Sequence, residues 1–379
     1  MRAVALIDGE HYVSVVRDAL AELPYDFVGA ILVGGTEKLR GGEDYGVPLV
    51  QDFGEADLVV DLSDEPVLGP AERMRWASRA LAAGLPYVGA DFRFDPPAFE
   101  PFELPSIAVI GTGKRVGKTA VTGHLTRLLA RDRDVVVVAM GRGGPAEPEV
   151  IESPPTVDDL LALSRSGRHA ASDHLETAAL CGVPTIGCRR AGGGLAGQVF
   201  TSNMLAGARL AAERQPDVVV FDGSGAAIPP IATDRRVLVV GGAQDADAYL
   251  NTYRRLISDV VVAVNCVVEG AISASLRLRP VEPLDGRVAV FTAGGTDVSH
   301  LDADVVHCSA SLADRDRLRE ELARVDADTY VVELKAAAID VVAEHARAAG
   351  RRVVLAGNDV VAPGLDEALL QLAPEALRS

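Results

Sequence analysis

Residues 107–130, IAVIGTGKRVGKTAVTGHLTRLLA, hold the spacing richest in chemistry. A strand-like apolar run stops at Ile110, and glycines follow at Gly111, Gly113 and Gly117. Lys118-Thr119 then open a segment whose apolar residues fall at Val121, Leu125, Leu128 and Leu129, one face of a helix. In a strand–loop–helix unit of this kind, backbone N–H groups converge on a bound anion and the helix N-terminus adds partial positive charge. Gly111, Thr112, Gly113, Lys114, Arg115, Val116, Gly117, Lys118 and Thr119 are therefore candidates for cradling nucleotide phosphates. Lys118 would reach the β- and γ-phosphates, and the Thr119 hydroxyl would ligate Mg2+. The strict Gly-x4-Gly-Lys pattern is not met, because Thr112 occupies the place of its first glycine. A second metal-side group is expected at a neighbouring strand end, and DVVVFDGSGAAIPPI (217–231) offers Asp222 there. Arg142 in MGRGGP (140–145), and Arg189 and Arg190 in GCRRAGGGLAG (187–197), follow further strand-like runs. Their planar guanidinium forks suit phosphate or carboxylate oxygens and together favour a polyanionic substrate.

Positioning these groups requires a sheet. Runs such as SIAVIG (106–111), VVVVAM (135–140), DVVVFD (217–222), VLVVGG (237–242) and VVVAVN (260–265) are almost continuously apolar. RVAVFT (287–292), ADVVHC (303–308), TYVVEL (329–334) and RVVLAG (352–357) continue the series. Strands of that composition are buried on both faces, so the fold class is α/β, with a mostly parallel sheet in a P-loop nucleotide-binding domain. A smaller α/β domain precedes it: strands 3–7, 27–33 and 58–62 alternate with helices 12–23 and 71–84. The stretch 90–105, with its prolines and phenylalanines, breaks both periodicities and reads as a linker. The expected division is thus 1–89, 90–105 and 106–379. In the first part, Asp8, Glu10 and His11 follow one strand, Gly34, Gly35, Thr36 and Lys38 follow the next, and LSDEP (62–66) follows the third.

Among the 37 basic residues only Lys38, Lys114, Lys118 and Lys335 are lysines, which gives Lys38 and Lys335 weight as sites wanting a compact ammonium. The formal charge of −17 argues against broad nucleic-acid binding and against adhesion to an anionic membrane. No apolar stretch is long enough to span a bilayer, and MRAVALIDGEHY is a poor secretory signal. Cys181, Cys188, Cys266 and Cys308 form no CxxC pair and are expected to be buried or incidental thiols in a cytoplasmic protein.

The loop GTGKRVGKT resembles that of dethiobiotin synthetase and its relatives, which implies ATP with Mg2+ and γ-phosphoryl transfer to an acidic group. More broadly, ALIDGEHY, VGGTEKL, DLSDEP, GTGKRVGKT, MGRGGP, FDGSGAAIPP and VVELKAAAID, in that order, resemble the cyclic 2,3-diphosphoglycerate synthetases. The resemblance implies that ATP drives closure of 2,3-bisphosphoglycerate into its cyclic diphosphate, releasing ADP and phosphate. In that chemistry Lys118, with Mg2+ held by Thr119 and Asp222, stabilises the γ-phosphoryl charge. Arg142, Arg189, Arg190 and Lys114 hold the substrate phosphates, with Lys38 and Lys335 as further candidates. Two alternatives remain open: a kinase or ligase for another small phosphorylated acid, and a nucleotide-switched binding protein. A homodimer is also left open.

Overall fold

Runs of Val and Ile that are apolar on both faces become parallel strands, because only a sheet covered on each side buries them fully. The computed structural model describes residues 1–167, 172–334 and 338–373. They form two compact units. The smaller holds Met1–Ala98, Leu195–Gly197 and Gln244–Ser258; the larger holds Phe99–Gly194, Gln198–Ala243 and the chain from Asp259 onward.

The smaller unit begins with β1 (Arg2–Ile7), α1 (Val13–Glu22), β2 (Asp26–Leu32), β3 (Leu58–Asp61), α2 (Pro70–Ala82), β4 (Tyr87–Val88) and β5 (Arg93–Phe94). Its sheet order is β2-β1-β3-β4-β5, parallel except for the last pair.

The larger unit starts with β6 (Ser106–Gly111), α3 (Lys118–Leu129), β7 (Val135–Gly141), β8 (Glu149–Ile151), α4 (Val157–Arg165) and α5 (Asp173–Cys181). It continues with β9 (Thr185–Ala191), β10 (Thr201–Ser202), α6 (Met204–Glu213), β11 (Val218–Asp222) and β12 (Arg235–Val240). Helix α7 (Asn251–Leu256) belongs to the smaller unit. The chain then adds β13 (Val260–Val264), β14 (Ile272–Pro280), β15 (Arg287–Phe291), β16 (Asp304–Ser309), α8 (Arg315–Leu322), β17 (Thr329–Glu333), α9 (Ile339–Ala348), β18 (Arg352–Val361) and α10 (Leu365–Leu370).

One sheet runs through the larger unit in the order β10-β9-β7-β11-β6-β12-β13-β14-β18-β17-β15-β16, with β8 against β9. Strand β14 joins its two halves. Its first residues pair in parallel with β13, so Ala274 lies beside Val264, the last residue of β13. Beyond that edge it pairs antiparallel with β18, from Ser275–Val361 to Pro280–Ala356. β17 runs parallel with β18, and β15 with β17, so their carboxyl ends point back toward the edge where β6, β7 and β11 end. Two sets of strand carboxyl ends therefore face each other, and the loops between them enclose the site.

The helical face expected after the glycine loop is present. Val121, Leu125, Leu128 and Leu129 of α3 are all buried, in a core shared with Leu365 and Leu369 of α10. Each such side chain contributes about 1.5–3 kcal/mol relative to exposure.

Three features depart from the sequence reading. The stretch 90–105 is divided: Arg93–Phe94 closes the smaller sheet, while Glu100 bridges to Ile231 and Phe102 packs edge-on against Phe221, ring centres 5.1 Å apart. Helix α7 packs on α2, and buried Arg254 donates to the Leu195 carbonyl at 2.9 Å, so both later segments rejoin the smaller unit. Strand β16, expected to be buried, is an edge strand whose residues mostly alternate between exposed and half-buried. Among the described residues, which include all four cysteines, there is no disulfide; Cys308 is exposed rather than buried.

Candidate active site

Gly117 caps α3 with φ 91°, in the left-handed region, and a Cβ there would stand 3.0 Å from Val264. Only glycine accepts that combination without strain. From beneath, Gly241 approaches so closely that a Cβ on it would come within 2.6 Å of the Val116 Cα. At the loop entrance the Thr112 N–H donates to the Val239 carbonyl at 3.0 Å. Close backbone approach thus seats the loop, and its sequence places Lys118 and Thr119 at the helix start.

Lys118 and Asp222 meet at the base of this loop. The ammonium lies 2.5 Å from Asp222 Oδ1, and the Thr122 hydroxyl donates to the same oxygen at 2.9 Å. Asp222 is wholly buried, and its Oδ2 has no hydrogen-bond partner among the described residues. A buried carboxylate oxygen without a donor is costly, so this one fits a cation or its water shell. Asp173, in the first turn of α5, lies close by. Burial pushes its carboxyl above the ordinary range; Lys118 pulls it down, Asp222 raises it further, and Arg142 and Arg190 pull it down. Among the described residues no three His, Cys, Asp or Glu side chains form a metal cluster. Mg2+ here would draw its remaining ligands from phosphate and water, as that ion commonly does.

The loop opens on a cleft of about 980 Å³. Gly113 to Thr119, Arg142, Asp173, Glu176 and Asn265 line one side, and Thr292 to Asp297, Glu333 and Asn358 line the other. The structure therefore brings together Gly113, Lys114, Arg115, Val116, Gly117, Lys118, Thr119 and Arg142, with Asp222 beneath them. Gly111 and Thr112 lie under the loop rather than on the lining, and the buried Thr112 hydroxyl has no partner among the described residues.

Arg189 and Arg190 do not line the cleft. They fall inside β9 rather than after it, so successive side chains take opposite faces. Arg189 is exposed, while Arg190 donates to the carbonyls of Gly192 at 2.6 Å and Ser224 at 2.8 Å, bracing the turn after Asp222. Burial, aided by repulsion from Arg142, lowers its pKa. Lys38 lies in the smaller unit, paired with Glu37 and 5.6 Å from the centre of the Tyr12 ring. Lys335 lies outside the described residues. The Asp8 carboxylate, fully buried, accepts from the amides of Glu10, His11 and Asp64 and sits 2.8 Å from His11 Nδ1. It is a loop anchor with its acceptors filled, tying the turns after β1 and β3 together.

Sequence reasoning missed Asp173, Glu176, Glu333, Asn358 and the 292–297 loop. A glycine pair one residue after the strand-like run RVAVFT was a legible signal for that loop, the same one that drew attention to MGRGGP. Asp173 carries only a helix-start pattern, and Asn358 sits within a strand, where nothing local marks it.

Family models extend this picture over nearly the whole chain. Those for the N-terminal, P-loop and C-terminal domains of cyclic 2,3-diphosphoglycerate synthetase match residues 2–95, 106–279 and 296–359 respectively. A protein of that name from Rubrobacter xylanophilus is 48% identical, over 100% of this chain and 98% of its own length. One from Pyrococcus horikoshii is 39% identical over 93% of this chain and 91% of its own, and one from Methanothermobacter thermautotrophicus is 35% identical over 99% and 96%. With three domain models in collinear order and identity of this level along the full length, the chain belongs to the cyclic 2,3-diphosphoglycerate synthetase family.

Proposed function

We propose that the cleft binds ATP with Mg2+ and closes 2,3-bisphosphoglycerate into cyclic 2,3-diphosphoglycerate, releasing ADP and phosphate. The observation that carries this reading is the Lys118–Asp222 pair beneath the glycine loop, opening on a cleft that also presents Lys114 and Arg142. The family's P-loop domain supports nucleotide use, and the names of the full-length relatives support the reaction.

An oxygen of one substrate phosphate attacks the γ-phosphorus of ATP in line; the bond to the β-phosphate oxygen breaks and ADP leaves. The second substrate phosphate then attacks the phosphorus bonded to the glycerate oxygen. The bond to the terminal phosphoryl group breaks, giving the ring and inorganic phosphate. Both nucleophiles are anions already, so no general base is needed, and the protein's work is alignment and charge stabilisation. Lys118 moves from Asp222 to the β- and γ-oxygens. Lys114 and Arg142 offset repulsion between the substrate phosphates and the nucleotide. Mg2+ would neutralise charge on the same phosphate oxygens, and Thr119 and Asp222, with Asp173 beside them, are the residues that would hold it. Water has to be kept from the activated diphosphate during the second step.

Phosphorus NMR of the protein with ATP, Mg2+ and 2,3-bisphosphoglycerate tests the proposal. A cyclic diphosphate resonance should grow together with ADP and phosphate. ATP consumption on another phosphorylated acid, with no cyclic product, would favour a kinase or ligase instead. A cytoplasmic setting fits the absence of disulfides and of any membrane-spanning helix among the described residues.

A further inference from the structure

We infer that the turn Ala293–Thr296, at the carboxyl end of β15, is a second anion cradle, which takes a phosphate or the carboxylate of the bisphosphorylated acid across the cleft from the glycine loop. The inference rests on the function proposed above and names where its substrate is held. The turn lines the same cleft as Lys118 and Arg142. It also leaves a parallel strand at its carboxyl end, where ligands bind in open α/β sheets.

Three observations make it a binding surface rather than a connection. The N–H groups of Gly294, Gly295 and Thr296 donate to no acceptor among the described residues. A Cβ on Gly294 or Gly295 would meet nothing within 4 Å, so the backbone there is open to the cleft. The turn is also held from behind: Glu333, 7% exposed, accepts from the Ala293 N–H at 2.8 Å with one oxygen and from the Asn358 amide at 2.9 Å with the other. Both oxygens of Glu333 thus serve the scaffold. Asp297 likewise turns to its own chain, accepting from the N–H and hydroxyl of Ser299 at 2.9 Å each. Successive amides that converge in a turn make an anion-binding concavity, and a buried support fixes such a turn in advance of binding. A guest with two phosphates and a carboxylate needs more donors than a single loop supplies.

Gly295→Asp adds a carboxylate to the cradle at a position whose Cβ would meet nothing within 4 Å. For Gly295→Asp the KM for 2,3-bisphosphoglycerate should rise about tenfold or more, while the KM for ATP should stay within about twofold. An unchanged KM for the bisphosphate, or equal rises for both substrates, overturns the cradle. A second measurement needs no variant in the cradle. In ADP-loaded protein labelled with 15N-glycine, titrated 2,3-bisphosphoglycerate should shift the Gly294 and Gly295 amide resonances. Saturable binding without those shifts overturns the cradle and leaves the proposed function standing; no binding at all removes both.

Discussion

At Lys118 two demands meet in one side chain. At rest its ammonium neutralises buried Asp222; in the proposed reaction it is needed on the nucleotide phosphates. Lys118→Met removes both roles, so turnover should fall at least about a thousandfold. It should also cost roughly 3–5 kcal/mol of stability, because a buried charge loses its partner. Adding Asp222→Asn should restore most of that stability and none of the activity, which urea melts and ATP-turnover assays separate. If the single variant kept its stability, the pair would not be an energetic unit. Asp173→Asn should lower turnover while leaving the melting temperature unharmed, because burial already disfavours its charged form. Asp8 behaves in the opposite way. Burial pushes its carboxyl up, but the Asp64 amide, the His11 ring and the Glu10 amide outweigh it and hold the pKa below its ordinary 3.8. A depressed carboxyl stabilises the fold above its unfolded value, and that stability is lost as pH falls through the folded value. The stability gap between the parent and Asp8→Asn should therefore be full near neutrality and close below about pH 4 in melts across pH.

At the scale of elements, α3 holds the site because its buried face is fixed on the sheet. Leu125→Ala should destabilise the protein by about 2–5 kcal/mol, measured by denaturant melts. The glycine loop depends as much on its neighbours as on itself. Gly241 belongs to no phosphate-binding pattern, yet a methyl there would press on the Val116 backbone. Gly241→Ala should raise the KM for ATP several-fold with a smaller change in the KM for the acidic substrate; unaltered nucleotide affinity would show that the loop yields freely. The strand–loop–helix order was plain from local spacing, since each step is a contiguous pattern of apolar and glycine residues. Strand β14 was not. ISASLRLRP has a middle of small and arginine residues, and it is made a strand by partners on both sides rather than by its own composition.

At the scale of the molecule, the chain leaves its first compact unit and returns to it. Helix α7 packs on α2, whose buried residues include Ala77, Ala80 and Leu81. A fragment of residues 1–98 alone would lack that cover. It should bind a hydrophobic dye and resist proteolysis less than the same region in the full chain; a cooperative, protease-resistant fragment would show that α7 adds little. A contiguous division could not have been corrected from sequence, because residues 195–197 and 244–258 carry no signal naming their distant partner.

The amino-acid order determined what depends on near neighbours. It set the buried parallel strands, through their unbroken apolar runs, and the phosphate loop, through glycines between a strand and an amphipathic helix. Asp222 belongs there too, as an acid ending such a strand. What lies across the cleft from Lys118 was decided by tertiary structure alone. Strand β14 passes beyond one sheet edge and pairs backward with β18, which turns β15 and β17 around and brings Gly294, Glu333 and Asn358 to face the loop at 111–119. Pairing direction and register are cooperative properties of strands distant in the chain, so no local spacing encodes them.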